Sequence, residues 1–192
     1  MGWTLHKAAV REPRYCLELN LQSHLALIEK LRGKSPGGRR LIYLGSIGQY
    51  GNPKQPGEIS EEGAQVPTDV QGIHKAAAER YFQLYAREVA DSVVSVRLAS
   101  VFGVGQPTRT EELGLIGDFV RDCLADRTIE VYGHGRRRNI VYVEDVAAVV
   151  ADLIEKAPRG FHAYNLTGEC VGLSELVECI RKAKMKGYSD AQ

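Results

Sequence analysis

The chain has 192 residues and a mass of 21.2 kDa, which is the size of one ordinary globular domain. Hydrophobic residues make up 44% and charged residues 26%, a balance that excludes disordered, collagen-like and coiled-coil chains. The net charge of +1 argues against a general binder of nucleic-acid backbones, and the longest apolar stretches are too short to span a membrane.

The cysteines predict a reducing compartment. Cys16, Cys123, Cys170 and Cys179 are widely scattered, with no CxxC pair and no Cys/His pair at metal-ligand spacing. We interpret them as reduced and mostly packed, and we predict no metal site. The first residues lack the long apolar region of a secretory signal, so the cytosol is the expected compartment.

The first half of the chain is predicted to form two helices and two buried strands. In chain order these are a helix over residues 15–31, a strand over 40–44, a helix over 70–90 and a strand over 93–98. The strands are continuous runs of Leu, Ile, Val and Tyr, which are typical of parallel sheets covered on both faces. Between the first strand and the second helix, residues 51–67 carry three prolines and three glycines, which predicts a long loop.

The second half continues the alternation of helices and strands. It predicts a helix over 113–125, short strands over 128–132 and 140–143, a helix over 143–156, a strand over 163–166 and a helix over 174–184. This order is typical of βαβ units around a parallel sheet. Since such sheets bind ligands at the carboxyl ends of their strands, the loop that starts at Gly51 is the expected place for a site.

Several motifs in this chain occur in the same order in a known family. The sequence resembles the NAD-dependent epimerase/dehydratase family, which belongs to the extended short-chain dehydrogenases and acts on nucleotide sugars. The resemblance rests on Asn20 and on the segments HKAA (6–9), LIYLGSIGQYG (41–51), DVQGIHKAAAE (69–79), VRLASVFGVGQ (96–106), RNIVYVEDVA (138–147) and AYNLTG (163–168).

The resemblance implies an α/β fold, a partial Rossmann-like doubly wound parallel sheet with small C-terminal substrate-binding elements. Residues 1–103 are the expected later part of an NAD(P)-binding domain. Residues 104–192 are expected to supply substrate-binding elements and the remaining strand of the same compact unit. The implied activity is that of a nucleotide-sugar epimerase or dehydratase, an isomerase or lyase that uses NAD or NADP.

The same resemblance assigns roles to individual residues. It implies that Ser46 holds the reacting hydroxyl of the sugar and that Lys75 holds the nicotinamide ribose of the cofactor. Arg138 is implied as a clamp on the sugar-nucleotide diphosphate, a task that suits a planar guanidinium. Further cofactor contacts are implied at His6, Ala8 and Ser100.

Each of these residues also has an ordinary structural interpretation. Ser46 could simply close a strand, Lys75 could pair in solvent with Glu79 four residues later, and Arg138 could belong to a solvated basic turn. His6 could equally be a partly buried residue at a strand end. These alternatives stay open at the level of sequence.

Two features depart from the family pattern. No GxxGxxG loop precedes the HKAA segment, where the family carries the loop whose backbone N–H groups bind the cofactor pyrophosphate; the one GxxGxxG spacing in the chain, at residues 45–51, belongs to the Ser46 segment. Gln71 stands four residues before Lys75, where relatives carry the Tyr that acts as base. A carboxamide can orient a hydroxyl but does not titrate near neutral pH. We therefore interpret the chain as the middle and later portion of a longer fold.

Two nearby residues, His74 and Tyr50, have side chains that could replace the missing base. His74 adjoins Lys75 but points about 100 degrees away from it on a helix, so we interpret it as a surface residue. Tyr50 lies on the same loop as Ser46, and we favour an aromatic ring packed against the base of that loop.

Two functions follow from these patterns. The first is an incomplete nucleotide-sugar epimerase or dehydratase, and the alternative is a non-catalytic sugar-nucleotide binder or interaction fragment derived from that family. The expected partner is a nucleotide sugar, with no nucleic acid and no membrane. An uncovered sheet edge further predicts a homodimer or another association through that edge.

Overall fold

The computed structural model of the chain describes residues 6–52, 59–106, 114–132 and 135–186, with side chains from residue 9 onward. It divides into two compact units. The first comprises Met1–Ala99 and Asp145–Leu166, and the second comprises Ser100–Glu144 and Thr167–Gln192. Residues 145–166 thus belong to the first unit although they follow part of the second in the chain.

The first unit begins with helices. These are α1 (His6–Arg11), α2 (Pro13–Leu17), a π-helical turn (Glu18–Gln22) and α3 (Ser23–Leu31). From α2 to α3 the helical segment is continuous, as predicted for residues 15–31. Within it, the Asn20 side chain donates a hydrogen bond of 3.1 Å to the Cys16 carbonyl. The expectation that His6 ends a strand is wrong, because His6 begins α1.

A parallel sheet forms the centre of the first unit. Its strands are β1 (Arg40–Ser46), β2 (Ser92–Leu98) and β5 (Gly160–Leu166), in the order β1-β2-β5. The register aligns Ser46 with Leu98 and Leu98 with Leu166, so these three residues mark the carboxyl end of the sheet. The predicted mixed α/β fold with a parallel sheet is confirmed.

Helix α4 (Val70–Val89) packs on this sheet and completes its main core. Ile28, Tyr43, Phe82, Val89 and Val93 are all buried in one cluster between the helices and the strands. Strand β5 is reached through α6 (Val143–Lys156), which has the predicted bounds. Among the described helices, none is both long and apolar enough to cross a bilayer.

The second unit has its own sheet and core. Strand β3 (Ser100–Phe102) pairs in parallel with β4 (Arg137–Tyr142), and β4 pairs antiparallel with β6 (Glu169–Gly172). Helices α5 (Leu115–Leu124) and α7 (Leu173–Met185) cover it. The buried cluster of this unit contains Ile116, Phe119, Ile140, Leu176 and Val177.

One predicted strand does not form. Residues 128–132 run without regular secondary structure and pair with no strand in the part of the chain that is described. Their alternating pattern has another cause, because Ile129 and Val131 pack against the core of the second unit while Glu130 and Tyr132 hydrogen bond to each other. An alternating apolar pattern shows that every second side chain is buried, but it does not show that a neighbouring strand is there to pair with.

Candidate active site

Ser46 lies at the carboxyl end of β1, where the strand turns into a 3-10 helix over Ile47–Tyr50. Its Oγ accepts a hydrogen bond of 3.1 Å from the Gly48 N–H, and its own N–H donates to Gln49 Oε1 at 2.9 Å. This reciprocal cap fixes the backbone and the side chain of Ser46 together. Because the oxygen is used as an acceptor, the hydroxyl hydrogen remains available to donate to a ligand.

The start of α4 lies directly against this turn. A Cβ atom at Gly72 would be only 2.7 Å from the Gly48 carbonyl oxygen, so the close approach of the two segments requires glycine. Asp69 caps the helix by accepting a hydrogen bond of 2.8 Å from the Gly72 N–H. Gln71, in this first turn, is half-buried and precedes Lys75 by one helical turn.

Lys75 is turned inward toward β1. Its Nζ donates to the Leu44 carbonyl at 2.8 Å and lies 5.3 Å from the centre of the Tyr43 ring. The Tyr43 hydroxyl in turn donates to the Lys75 carbonyl at 3.1 Å. Burial lowers the pKa of Lys75, and the nearby Cys16 thiol partly offsets that effect. Lys75 thus contacts β1 at Leu44, which lies two residues before Ser46 at the end of that strand.

A buried carboxylate lies one further turn along the same helix. Glu79 is 1% exposed and forms an ion pair of 2.7 Å with Arg97, which is 4% exposed. The partners that donate to the Glu79 carboxylate are Gln49, Gln65, Ser95 and Arg97, and we call this set with Glu79 the Glu79 network. Burial alone would raise the pKa of Glu79, but these donors outweigh it and lower the pKa to about 2.

The Glu79 network holds both ends of the loop that follows Ser46. At the start of the loop, Gln49 links Glu79 to the Ser46 N–H. At its return, Arg97 donates to the Glu61 carbonyl at 2.7 Å. Asn165, on β5, donates to the Ile59 carbonyl at 2.9 Å from its side chain. Residues 53–58 of this loop lie outside the described part of the chain.

Tyr50 and His74 are both placed by contacts that sequence patterns only partly indicate. The Tyr50 ring is 5% exposed, and its hydroxyl donates to Asn165 Oδ1 at 2.8 Å while accepting from Arg97. It is thus packed at the base of the loop, as favoured from the sequence. The interpretation of His74 as a surface residue is wrong, because its half-buried ring lies 3.3 Å from the Cys16 sulfur.

The remaining predicted site residues lie elsewhere in the chain. Ser100 on β3 and Arg138 on β4 are exposed residues of the second unit, and Arg138 is in register with Val171 of β6. His6 and Ala8 belong to α1, but their side chains lie outside the described residues. Their predicted roles stay predictions.

The arrangement in the first unit combines a hydroxyl donor and an ammonium group at one end of a parallel sheet. Such a pair suits a ligand rich in hydroxyl groups. The side chain one turn before Lys75 is a carboxamide, and the Tyr50 phenol is engaged by two partners. Neither of them is arranged to take up a proton from a ligand.

Sequence reasoning missed the Glu79 network. A charged residue on a helix and another on a strand are normally assigned to the surface, because Glu and Arg are rarely buried unless paired. The available signal was Arg97 itself, which ends the buried apolar run of β2 (Ser92–Leu98) and therefore needs a partner.

Comparisons with known proteins agree with the family resemblance of the sequence. A model of the NAD dependent epimerase/dehydratase family matches residues 4–167. A curated dTDP-4-dehydro-6-deoxyglucose reductase of Escherichia coli is 26% identical over 193 residues, which cover 96% of this chain and 58% of that protein. A dTDP-D-glucose 4,6-dehydratase of Mus musculus is 28% identical over 131 residues, which cover 68% of this chain and 35% of that protein.

Solved structures agree with this assignment of the fold. A UDP-glucose 4-epimerase of Thermotoga maritima superimposes with a TM-score of 0.83 and 25% identity, covering 99% of this chain and 60% of that one. A UDP-glucose 4-epimerase of Thermus thermophilus, solved with NAD, gives a TM-score of 0.80 and 25% identity, covering 95% of this chain and 60% of that one. The chain therefore spans about 60% of the length of these proteins.

Proposed function

We propose that this chain, which belongs to the NAD-dependent epimerase/dehydratase family, binds a nucleotide sugar at the carboxyl end of its first sheet. The sugar-binding group is Ser46, whose hydroxyl donates to a hydroxyl of the sugar. The family resemblance assigns the diphosphate to the guanidinium of Arg138 in the second unit, and this assignment is a separate proposal. The reaction class is that of a nucleotide-sugar epimerase or dehydratase acting with NAD or NADP.

The observation that carries this proposal is the double anchoring of Ser46. Its oxygen is fixed by the Gly48 N–H and its backbone N–H by Gln49, which is itself held by the buried Glu79 carboxylate. The same hydrogen bonds cap the 3-10 helix, and they hold the Ser46 side chain in one orientation at the end of the strand. Binding groups held by a second layer of hydrogen bonds lose less freedom when a ligand binds.

Titration calorimetry with UDP-glucose, and with GDP-, CDP- and dTDP-sugars, tests this function. We expect Ser46→Ala to weaken binding by about threefold to tenfold, the value of one ordinary hydrogen bond. Ser35→Ala is the matched control, because exposed Ser35 precedes the opposite end of β1 and should leave binding unchanged. Binding that is absent for all four sugar classes, or equal in the two variants, would refute the proposal.

The residues of this chain fit only one part of an NAD or NADP molecule. The ammonium of Lys75 has three N–H bonds, one of which binds Leu44, so its chemistry fits a nicotinamide ribose. The pyrophosphate end does not fit, because the one GxxGxxG spacing of the chain, at residues 45–51, leads into the short 3-10 helix Ile47–Tyr50 and not into an α-helix whose N-terminus could bind phosphate. When bound, NAD or NADP supplies the acceptor for a hydride from the sugar ring.

We therefore expect free NAD and NADP to bind this chain more weakly than about 1 mM, several kcal/mol short of an ordinary micromolar site. Titration calorimetry measures the binding of NAD and NADP directly. ADP-ribose, which lacks the nicotinamide, is the control that reports the contacts of the rest of the cofactor. A dissociation constant in the low micromolar range would contradict the expectation and would require a phosphate-binding segment other than a Gly-rich loop.

A second candidate function is a sugar-nucleotide binder without turnover. Gln71 favours it, because this residue occupies the position of the base and cannot titrate near neutral pH. The engaged hydroxyl of Tyr50 favours it as well. In this case the sugar nucleotide binds with the same dependence on Ser46, but no exchange occurs at the sugar ring.

Two further features belong to the proposal. None of the four cysteines, all of which lie in the described part of the chain, forms a disulfide, and this favours the reducing cytosol as the compartment. Strand β1 has β2 as its one neighbour in the described part of the sheet, so the second edge of β1 is open to pairing there. We infer association of the chain with a copy of itself or with a partner through this edge.

A further inference from the structure

The aromatic ring of Tyr43 lies against the ammonium group of Lys75. The Lys75 Nζ is 5.3 Å from the centre of the Tyr43 ring, and the Tyr43 hydroxyl donates to the Lys75 carbonyl at 3.1 Å. One residue therefore contacts both the charged end and the backbone of Lys75. The face of an aromatic ring carries partial negative charge and attracts a cation within about 6 Å of its centre. The Tyr43 ring is thus placed to stabilise the charged form of Lys75.

The packing of the core fixes the position of the Tyr43 ring. This side chain is 4% exposed and belongs to the buried cluster of the first unit. The His24 ring meets it edge-on with the ring centres 5.3 Å apart, and the Phe82 ring packs at 5.2 Å. Burial, together with the charge of Glu79, raises the pKa of the Tyr43 hydroxyl, so this group stays neutral and able to donate. The ammonium of Lys75 therefore lies on a surface that does not move.

Apart from the backbone acceptor described above, the groups around Lys75 give its charge little support. Burial lowers the pKa of Lys75, and the Cys16 thiol on α2 offsets that effect only in part. Burial also lowers the pKa values of His24 on α3 and His74 on α4, so both rings are neutral at neutral pH, and the charge of Lys75 adds to the effect at His24. The Glu79 carboxylate, one turn along α4, is already bound by the donors of the Glu79 network.

We propose that Tyr43 is a positioning residue that keeps Lys75 charged and directed toward the carboxyl end of β1. The ring face stabilises the ammonium, and the hydroxyl holds the backbone from which the Lys75 side chain extends. This role rests on the proposed function, in which Lys75 binds the nicotinamide ribose of the cofactor. Without the ring, burial would favour the neutral amine, which has two N–H bonds instead of three and therefore offers one donor fewer to a ligand.

Competitive acetylation measures the charge of Lys75. Trace acetic anhydride reacts with neutral amines, and mass spectrometry of peptides gives the rate at Lys75 relative to exposed Lys156 over a range of pH. The midpoint of this profile reports the pKa, whereas its plateau reports access to the amine. We expect Tyr43→Leu to move the midpoint to lower pH and to raise the rate at pH 7, relative to the plateau, about threefold to tenfold. Phe82→Leu removes a ring from the same core and should leave the midpoint in place.

Fluorination separates the charge of the ring from its shape, and it decides the question if Tyr43→Leu does not fold. Phenylalanine analogues with one, two or three ring fluorines at position 43 keep nearly the same shape but withdraw electron density from the ring face. Relative to Tyr43→Phe, we expect the midpoint for Lys75 to move to lower pH with each added fluorine. A midpoint that stays constant along this series would overturn the proposal.

Protection by nicotinamide mononucleotide tests the proposed function separately. This compound carries the nicotinamide ribose without the adenosine half of the cofactor. At millimolar concentration it should slow the acetylation of Lys75 in the unchanged chain, and it should do so less in Tyr43→Leu. Absence of protection in the unchanged chain would contradict the cofactor role of Lys75, whereas a constant midpoint in the fluorine series would contradict the role of Tyr43.

Discussion

Replacing Glu79 with alanine is expected to destabilise the chain by about 3–5 kcal/mol, because it leaves a buried guanidinium without its counterion. Arg97 is 4% exposed and has no solvent to replace the lost carboxylate. Gln49, Gln65 and Ser95 lose an acceptor in the same substitution. Urea unfolding, followed by the near-ultraviolet circular dichroism of the buried tyrosines, measures the change.

A control on the same helix isolates the effect of burial. Glu88 pairs with Arg32 at 2.7 Å, but both side chains are nearly half exposed. Glu88→Ala should therefore cost less than about 1 kcal/mol. A cost for Glu79→Ala as small as that for Glu88→Ala would mean that the Glu79 network contributes nothing beyond an ordinary surface pair.

Acid unfolding gives a second test of the Glu79 network, with a different substitution. The pKa of Glu79 is lowered from 4.5 to about 2 on folding, so its charged form is favoured in the folded state. The resulting stabilisation is complete above pH values near 4.5 and is lost as the pH falls toward 2. Glu79→Gln removes this titration, so its unfolding free energy should vary less with pH across that interval than that of the unchanged chain.

Restoring the base is the substitution with the largest expected effect on activity. Gln71→Tyr places a phenol one turn before Lys75, and base catalysis typically raises rates about 100-fold or more. We expect no measurable exchange at the sugar ring from this single change, because the GxxGxxG spacing at residues 45–51 leads into a 3-10 helix and not into the α-helix that binds a cofactor pyrophosphate. In a chimera that carries a relative's GxxGxxG segment ahead of His6, the same change should raise the rate by about that factor.

The assay follows exchange at the sugar ring with added NAD and UDP-, GDP-, CDP- and dTDP-sugars. Gln71→Phe in the chimera is the matched control, since it adds the ring without the hydroxyl and should not raise the rate. Activity of the Gln71→Tyr chain without the added segment would show that cofactor binding does not depend on that segment. The expectation that Gln71→Tyr alone has no effect would then be wrong.

The elements that sequence patterns predicted well are those whose burial is continuous. Strands β1 and β2 are unbroken apolar runs, and α4 combines a capping Asp69 with helical periodicity, so local residues suffice to predict them. Strands β3 and β6 have only three and four residues and depend on their neighbour β4, so local patterns do not reveal them. Pairing between distant segments is what a single sequence leaves open.

In the candidate site, too, local residues could be recognised from the sequence and contacts between distant segments could not. Ser46 and Lys75 were singled out by the resemblance of their segments to the family, whereas the residues alone also allowed ordinary structural roles. The contacts of Glu79 with Arg97 and of Cys16 with His74 join segments 18 and 58 positions apart in the chain, respectively. Such contacts exist only after the helices have packed on the sheet. The carboxamide at position 71, by contrast, was visible from the sequence.

The two anchors of the loop after Ser46 have a consequence for variation within the family. Gln49 holds the start of the loop and Arg97 holds Glu61 at its return, and both attach to one carboxylate. The segment between these anchors can therefore change in length or composition at a small entropic cost, without moving Ser46. If Ser46 binds the sugar as proposed, evolution or protein engineering can alter this segment without disturbing that contact.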